Sequence, residues 1–233
     1  MSRVILITGT SSGFGKSIAE KLHSQGHTVI GTSRNADKLN SVFKTLKLDI
    51  NNYDMSKSLI DNVINSYGKI DILINNAGIN ITGPVETAQM SDIKRVFDTN
   101  FFSHLNMIQN VLPNMRSNNK GLIINITSIA GYLGLPFWGT YCASKSSFNI
   151  IAESLNIELK KYNINVVNIA PGDYKTEISS NRVDRPENAS PYYDEYINVI
   201  NSVNSKMAHG RDPNEIAELV SKIINKNNPK INY

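Results

Sequence analysis

Six short apolar runs, each handing over to a segment of helical periodicity, constrain this chain more than any other feature. The runs are Val4–Thr8, His27–Thr32, Leu46–Leu48, Ile70–Ile74, Gly121–Ser128 and Ile164–Ile169. Strands that alternate with helices in this way build one doubly wound α/β domain around a parallel sheet covered on both faces. The 233 residues suit one such domain, 1–233, and a 40% apolar content is enough for its core. Helical periodicity covers Ala36–Phe43, Met55–Tyr67, Met90–Met115 and Thr140–Tyr162, and resumes at Asp212-Pro213. Between Asp173 and Arg211 only Tyr192–Met207 reads as helical. An insertion of that length is usually functional, so residues 178–210 are read as a substrate-binding lid.

The turn after the first run is Gly9-Thr10-Ser11-Ser12-Gly13-Phe14-Gly15, and helical spacing follows at Ile18, Ala19 and Leu22. Bare backbone lets a pyrophosphate approach, and free N–H groups with the helix dipole hold it. The spacing is G-x-x-x-G-x-G, and the plain alternative is a glycine-rich βα turn without a ligand. The second run ends at Ser33-Arg34-Asn35, with no acid in place. An acid there would bond the ribose 2′-hydroxyl of NAD, whereas an Arg accommodates the 2′-phosphate of NADP. Ser33 and Arg34 therefore predict NADP(H), with Asp37 as a weaker competitor and a solvent-facing Arg34 as the alternative. Asp49, next to Ile50, either meets the adenine edge or caps the following helix. Asn75-Asn76-Ala77-Gly78 ends the fourth run with small residues, again suited to close approach of a ligand.

Tyr141 and Lys145 lie four residues apart, on one face of the predicted helix. A Lys charge ~4 Å from a phenol, at an effective dielectric of ~20, stabilises the phenolate by roughly 4 kcal/mol at most. That would bring a Tyr of ordinary pKa near ~10 within reach of neutral pH, where it can pass a proton. The alternative is an amphipathic helix with a solvated Lys.

The net charge of +4 comes from scattered Lys and Arg, without the clustering that nucleic-acid binding needs. No apolar stretch approaches the ~18 residues of a membrane span. The run after Met1-Ser2-Arg3 is too short for a signal peptide. Cys142 is the one cysteine, which fits a reducing, cytoplasmic setting. No ligand cluster for zinc is apparent, and no metal is expected.

Several of these stretches together resemble one family. Thr8 to Gly15 resembles the T-G-x-x-x-G-x-G cofactor motif of the short-chain dehydrogenase/reductases, and Asn75–Gly78 matches their N-N-A-G. Asn100, Ser128, Tyr141 and Lys145 fall where that family's catalytic tetrad lies. Pro171-Gly172 with Thr176 looks like its P-G-x-x-x-T segment. The resemblance implies a Rossmann-type sheet in the order 3-2-1-4-5-6-7. It also implies a homodimer or homotetramer built through the helices near 90–115 and 140–162. Its cofactor contacts would come from Gly9, Ser11, Ser12, Gly13, Phe14, Gly15, Ser33, Arg34, Asp49, Ile50, Asn76, Ala77, Gly78, Tyr141, Lys145, Pro171, Gly172, Tyr174 and Thr176. In the implied chemistry Tyr141 gives a proton to the forming alkoxide and Ser128 orients the carbonyl. Lys145 lowers the Tyr141 pKa and binds the nicotinamide ribose, and Asn100 holds a water that links Lys145 to solvent. Two departures stand out. The seventh strand, at Lys230–Tyr233, is either very short or missing its tail, and Asp173-Tyr174 replaces the small or aliphatic residues common after Pro-Gly.

The apolar stretch Ala130–Gly139 reads as pocket lining, because loops normally face water. With Ile79 and Ile81, its Tyr132, Leu133, Leu135, Phe137 and Trp138 predict a hydrophobic ketone or aldehyde and its alcohol. The same residues would also serve as packing beneath the lid. The expected activity is NADP(H)-dependent hydride transfer in the direction of carbonyl reduction. The competing readings are a catalytically silent NADP-binding sensor or scaffold, and an epimerase or dehydratase with tightly held cofactor.

Overall fold

The computed structural model describes residues 2–176, 182–184 and 190–233. The first run forms β1 (Val4–Ile7), whose side chains alternate between two cores. Ile5 and Ile7 join Ile18 and Leu22 of α1 (Gly13–Ser24) on one face of the sheet. Leu6 faces the other core. The sheet continues through β2 (Thr28–Ser33), β3 (Lys44–Lys47), β4 (Ile72–Asn75), β6 (Gly121–Ile126) and β7 (Ile164–Ile169). All its pairings are parallel, in the order β3-β2-β1-β4-β6-β7. Counting its strands along the chain, this is the expected 3-2-1-4-5-6.

The Leu6 face is covered by α2 (Tyr53–Tyr67), α4 (Ser103–Ser117) and α5 (Gly139–Leu159), through Ile60, Met107, Val111, Phe148 and Ala152. The Ile5 face is closed by α7 (Asn214–Ile224), where Ile216, Val220 and Ile223 share one side. Strands buried on both faces explain why the runs read as continuous apolar segments.

At the carboxyl ends of three strands the apolar rule is broken. Asn75, Asn125 and Asn168 stand opposite one another across β4, β6 and β7, and all are buried. Asn75 Nδ2 donates to Asn125 Oδ1 at 3.0 Å, and Asn125 Nδ2 donates to Asn168 Oδ1 at 3.1 Å. Asn168 also anchors the chain end. Its N–H donates to the Ile231 carbonyl at 2.7 Å, and Tyr233 N–H donates back to the Asn168 carbonyl at 3.0 Å. The seventh strand is therefore present, reduced to a parallel bridge at Asn232.

The structure corrects several local expectations. Ala36–Phe43 is not a helix: only Ala36–Lys38 makes a single 3-10 turn. Asn40, Ser41 and Val42 are poor helix formers, and Phe43 is drawn into the sheet core instead. The long helix from Met90 is interrupted. α3 (Met90–Phe97) passes through a π turn at Asp98–Phe102 before α4 begins. Two short strands, β5 (Ile81–Thr82) and β8 (Val183–Asp184), form a parallel pair outside the main sheet. Within the span read as a lid, α6 covers Tyr193–Ala208, while residues 178–181 and 185–189 lie outside the described residues.

Candidate active site

The strand order reverses between β1 and β4, and a cleft of ≈ 980 Å³ opens at their carboxyl ends. Its floor is two turns pressed together. Gly9 has φ +71°, and a Cβ there would come within 2.9 Å of Ala77 Cα. Thr8 Oγ1 accepts from Asn76 N–H at 2.9 Å and from Ala77 N–H at 3.1 Å. Asn76 Nδ2 returns bonds to the carbonyls of Thr8 and Gly9 at 2.9 and 2.8 Å. The Asn76 side chain is thus committed to fixing the glycine turn.

Ser12 ends that turn in an extended conformation and makes no side-chain cap to α1, whose first turn holds no acid. The helix therefore presents uncapped N–H groups to the cleft beside Ser11, Gly13 and Phe14. Thr176 lies over Gly13, with its Cβ 3.6 Å from where a Gly13 Cβ would stand. These features fit a dinucleotide pyrophosphate.

Ser33 and Arg34 line the far end of the cleft, where Lys38 joins them and Asp37 does not. Asp49 and Ile50 also line it. Asp49 is not the helix cap, because Asn52 Oδ1 accepts the Met55 N–H at 2.9 Å and fills that role. Tyr174 lines the cleft but is only 5% exposed, its ring edge-on to Phe14 at 5.3 Å.

At the opposite end the tetrad residues converge. Tyr141 and Lys145 are both buried on α5, and Lys145 Nζ sits 5.9 Å from the Tyr141 ring centre. The ammonium donates to the Ile126 carbonyl at 3.0 Å. Ser128, just past β6, hydrogen-bonds Tyr141 through its side chain. Gly78 leaves space above them, since a Cβ there would stand 3.3 Å from Asn100 Oδ1 and 3.7 Å from Lys145 Nζ.

The electrostatics differ from the expectation. Burial pushes the Tyr141 hydroxyl up to about 12 against the pull of Ser128, and pushes the Lys145 ammonium down to about 8. In the free protein, desolvation outweighs any help from Lys145, whose ammonium is turned to a backbone carbonyl.

Asn100 occupies the π turn. Its Oδ1 accepts the Ile79 N–H at 2.9 Å, and its Nδ2 donates to the Ile79 carbonyl and to Ser144 Oγ at 3.0 and 3.1 Å. The side chain is spent on pinning the loop after β4. Sequence reading also missed His104, one helical turn on. Its ring hydrogen-bonds the Asn100 backbone, and burial with the nearby Lys145 charge pushes it down to about 3. The i, i+4 spacing from Asn100 was the available signal.

Ile79, Leu135 and Trp138 line the cleft as expected, joined by Ile129 and by Val199, Val203 and Met207 of α6. Tyr132 and Leu133 instead face solvent, 54% and 49% exposed. Phe137 packs edge-on against Tyr196 at 5.3 Å. A network ties α6 down beside the cleft. Thr82 Oγ1 contacts Tyr196 Oη and Asp184 Oδ1, both at 2.8 Å. Arg182 pairs with Asp184 at 2.6 Å and stacks over Trp138 at 5.7 Å.

The short chain dehydrogenase family model matches residues 3–187. The chain belongs to the short-chain dehydrogenase family. It is similar to a 3-ketodihydrosphingosine reductase of Bacteroides thetaiotaomicron, at 36% identity over 97% of this chain and 85% of the relative. It is also similar to bovine (Bos taurus) retinol dehydrogenase 8, at 29% identity over 98% of this chain and 80% of that one. Among solved structures, a short-chain dehydrogenase from Streptomyces avermitilis superposes with a TM-score of 0.90 at 26% identity, covering 100% and 87% of the two chains. This short-chain dehydrogenase is therefore an oxidoreductase acting on CH–OH or C=O groups, with a fold that binds nicotinamide cofactors. Among its described residues no helix is long and apolar enough to cross a membrane, and no group of three or more His, Cys, Asp or Glu could hold a metal ion.

Proposed function

We propose that this enzyme uses NADP(H) to interconvert a hydrophobic ketone or aldehyde and its alcohol, running toward reduction. The observation that carries the reading is the convergence of buried Tyr141, Ser128 and Lys145 at the apolar end of a cleft whose other end carries Arg34. Bound NADPH supplies the hydride. Gly9, Ser11, Ser12, Gly13, Phe14 and Gly15 hold the pyrophosphate, and Ser33 and Arg34 take the 2′-phosphate. Asp49 and Ile50 flank the adenine. Asn76 fixes the turn that, with Ala77, Gly78, Pro171, Gly172, Tyr174 and Thr176, seats the nicotinamide half. Ser128 orients the carbonyl oxygen, and Tyr141 protonates it as charge develops. Lys145 binds the ribose and supplies positive charge beside the phenol. Asn100, its side chain pinning the loop after β4, holds the water that links Lys145 to solvent. Within the span read as a lid, α6 lies over the substrate, through Val199, Val203 and Met207.

The 3-ketodihydrosphingosine named for one relative is a long-chain amino ketone, and Leu135, Trp138, Val199 and Val203 suit such a chain. The test is loss of NADPH absorbance over a panel of long-chain ketones and aldehydes. Trp138, the one tryptophan, reports binding independently by fluorescence. Nucleotide binding without turnover on any carbonyl would favour the silent, NADP-binding reading instead.

Arg34→Leu is expected to raise KM for NADPH by about tenfold, the cost of losing one charge-assisted bond, and to leave KM for NADH within about twofold. Equal effects on both cofactors would place the 2′-phosphate elsewhere.

We also propose a homodimer or homotetramer that covers α5. Ile150 and Ile157 lie two turns apart on one side of it, 67% and 80% exposed. Ile157→Glu is expected to shift the mass measured by light scattering toward the monomer. An unchanged mass would move the interface to another surface.

A further inference from the structure

We infer that Asp173 is the specificity residue of the cleft, and that it selects a substrate carrying an ammonium group beside the reacting carbonyl. The substrate is then a long-chain α-amino ketone; this rests on the reductase reading above.

Besides Lys145 of the tetrad and the charged residues around Arg34, the cleft is lined by Asp173, Arg182 and Lys206. Arg182 is neutralised by Asp184 at 2.6 Å. The Asp173 carboxylate has no ion pair or side-chain hydrogen bond among the described residues. Its backbone, by contrast, is fixed: the Asp173 carbonyl accepts the Arg211 N–H at 3.0 Å. The segment is also held against the tetrad. Ile129 N–H donates to the Pro171 carbonyl at 3.0 Å, which places Gly172 and Asp173 alongside Ser128 and Ile129. In the pose this inference requires, the carbonyl oxygen meets Ser128 and Tyr141 and the neighbouring carbon lies on the Asp173 side of the cleft.

The energetic argument is one of desolvation. An apolar chain laid along Leu135, Trp138, Val199 and Val203 expels water from the cleft. A carboxylate stripped of water with no partner is costly, and a cation brought in by the same substrate offsets that cost. A plain ketone offers no such offset. The ammonium does not react: hydride reduces the carbonyl carbon, Tyr141 protonates the oxygen, and the amine leaves as it came.

The test compares wild type with Asp173→Asn, an isosteric change at an exposed side chain. Three ketones of equal chain length are used: a 2-amino-3-ketone, the same ketone without the amine, and a keto acid. Wild type is expected to prefer the amino ketone over the plain ketone by about 10- to 100-fold in kcat/KM, the range of a hydrogen bond to a charged group. In Asp173→Asn that ratio is expected to collapse toward one, through KM. Trp138 fluorescence with the saturated 2-amino alcohol and oxidised cofactor gives the same comparison without turnover.

Turnover of the plain ketone with no preference for the amine overturns the inference and leaves the reductase reading standing. Carboxylate-dependent binding of the amino alcohol with no turnover of any ketone does the reverse. Preference for the keto acid assigns charge recognition to Lys206 and overturns it. A raised KM for cofactor alone in Asp173→Asn assigns the side chain to the cofactor and overturns it too.

Discussion

Replacement of Tyr141 by Phe is expected to lower kcat by roughly 10²–10⁴-fold, the usual worth of a positioned general acid, while leaving cofactor affinity nearly intact. The phenol is held in its protonated form by burial, which pushes it up to about 12. It can therefore donate throughout the neutral range. What changes with pH is Lys145, pushed down to about 8 by burial. Above that value the ammonium loses its proton, and the positive charge facing the developing phenolate disappears. Reduction is expected to fall as pH rises through about 8, with Tyr141 itself still protonated. Stability moves the other way in that window. The folded Lys145 titrates below its ordinary value, so the unfolded chain binds the extra proton, and the native state gains as pH rises from about 8 to about 10.5. A pH profile of kcat/KM alongside thermal melts reads both. Activity that holds steady through pH 9 or so would remove Lys145 from the proton path.

Gly15→Ala has the largest expected effect on the protein itself. A Cβ at this position would stand 2.1 Å from the Gly9 carbonyl oxygen and 2.4 Å from Asn76 Nδ2. Neither atom can yield cheaply. The first is backbone, and the second already bonds the Thr8 and Gly9 carbonyls. The cost is expected at the upper end of overpacking, about 3 kcal/mol, or a Tm lower by about 10 °C in a chain of this size. The stabilisation that nicotinamide cofactor gives wild type in a thermal melt should vanish with it, because the deformed turn is the proposed cradle. A variant that melts within 2 °C or so of wild type and still gains from cofactor would mean the turn is softer than its contacts indicate.

The main sheet was legible because burial on both faces makes each parallel strand an unbroken apolar run, and β1, β4, β6 and β7 all announce themselves that way. The pairing of Tyr141 with Lys145 followed from helical spacing alone. The other tetrad members came from family resemblance, since nothing local tells Ser128 from any serine at a strand end. What stayed hidden was long-range or set by burial. Thr82 meets Asp184 across about a hundred residues, in two strands too short for any periodicity. Asn76 has its donors turned into the protein, which a motif match does not reveal. The direction of the Tyr141 shift needed the depth of α5 in the fold, and spacing carries no information about depth. Arg182 reached the cleft through a chain path that no pattern in the sequence foretells.

The buried row of Asn75, Asn125 and Asn168 works as an alignment pin for the whole enzyme. Each inner amide gives its hydrogen to the next strand, so the row has a direction and a single fit. Sliding β6 by one residue would set Ile124 or Ile126 against Asn75 and strand several buried amides, at about 1–3 kcal/mol each. The glycine turns follow β1 and β4, whereas Ser128 follows β6 and Pro171 follows β7. Both halves of the cleft thus take their relative position from three carboxamides that do not line it. An error in assembly would therefore leave no partly formed cleft, because the same pin that closes the sheet also brings the glycine turns into step with Ser128 and Pro171.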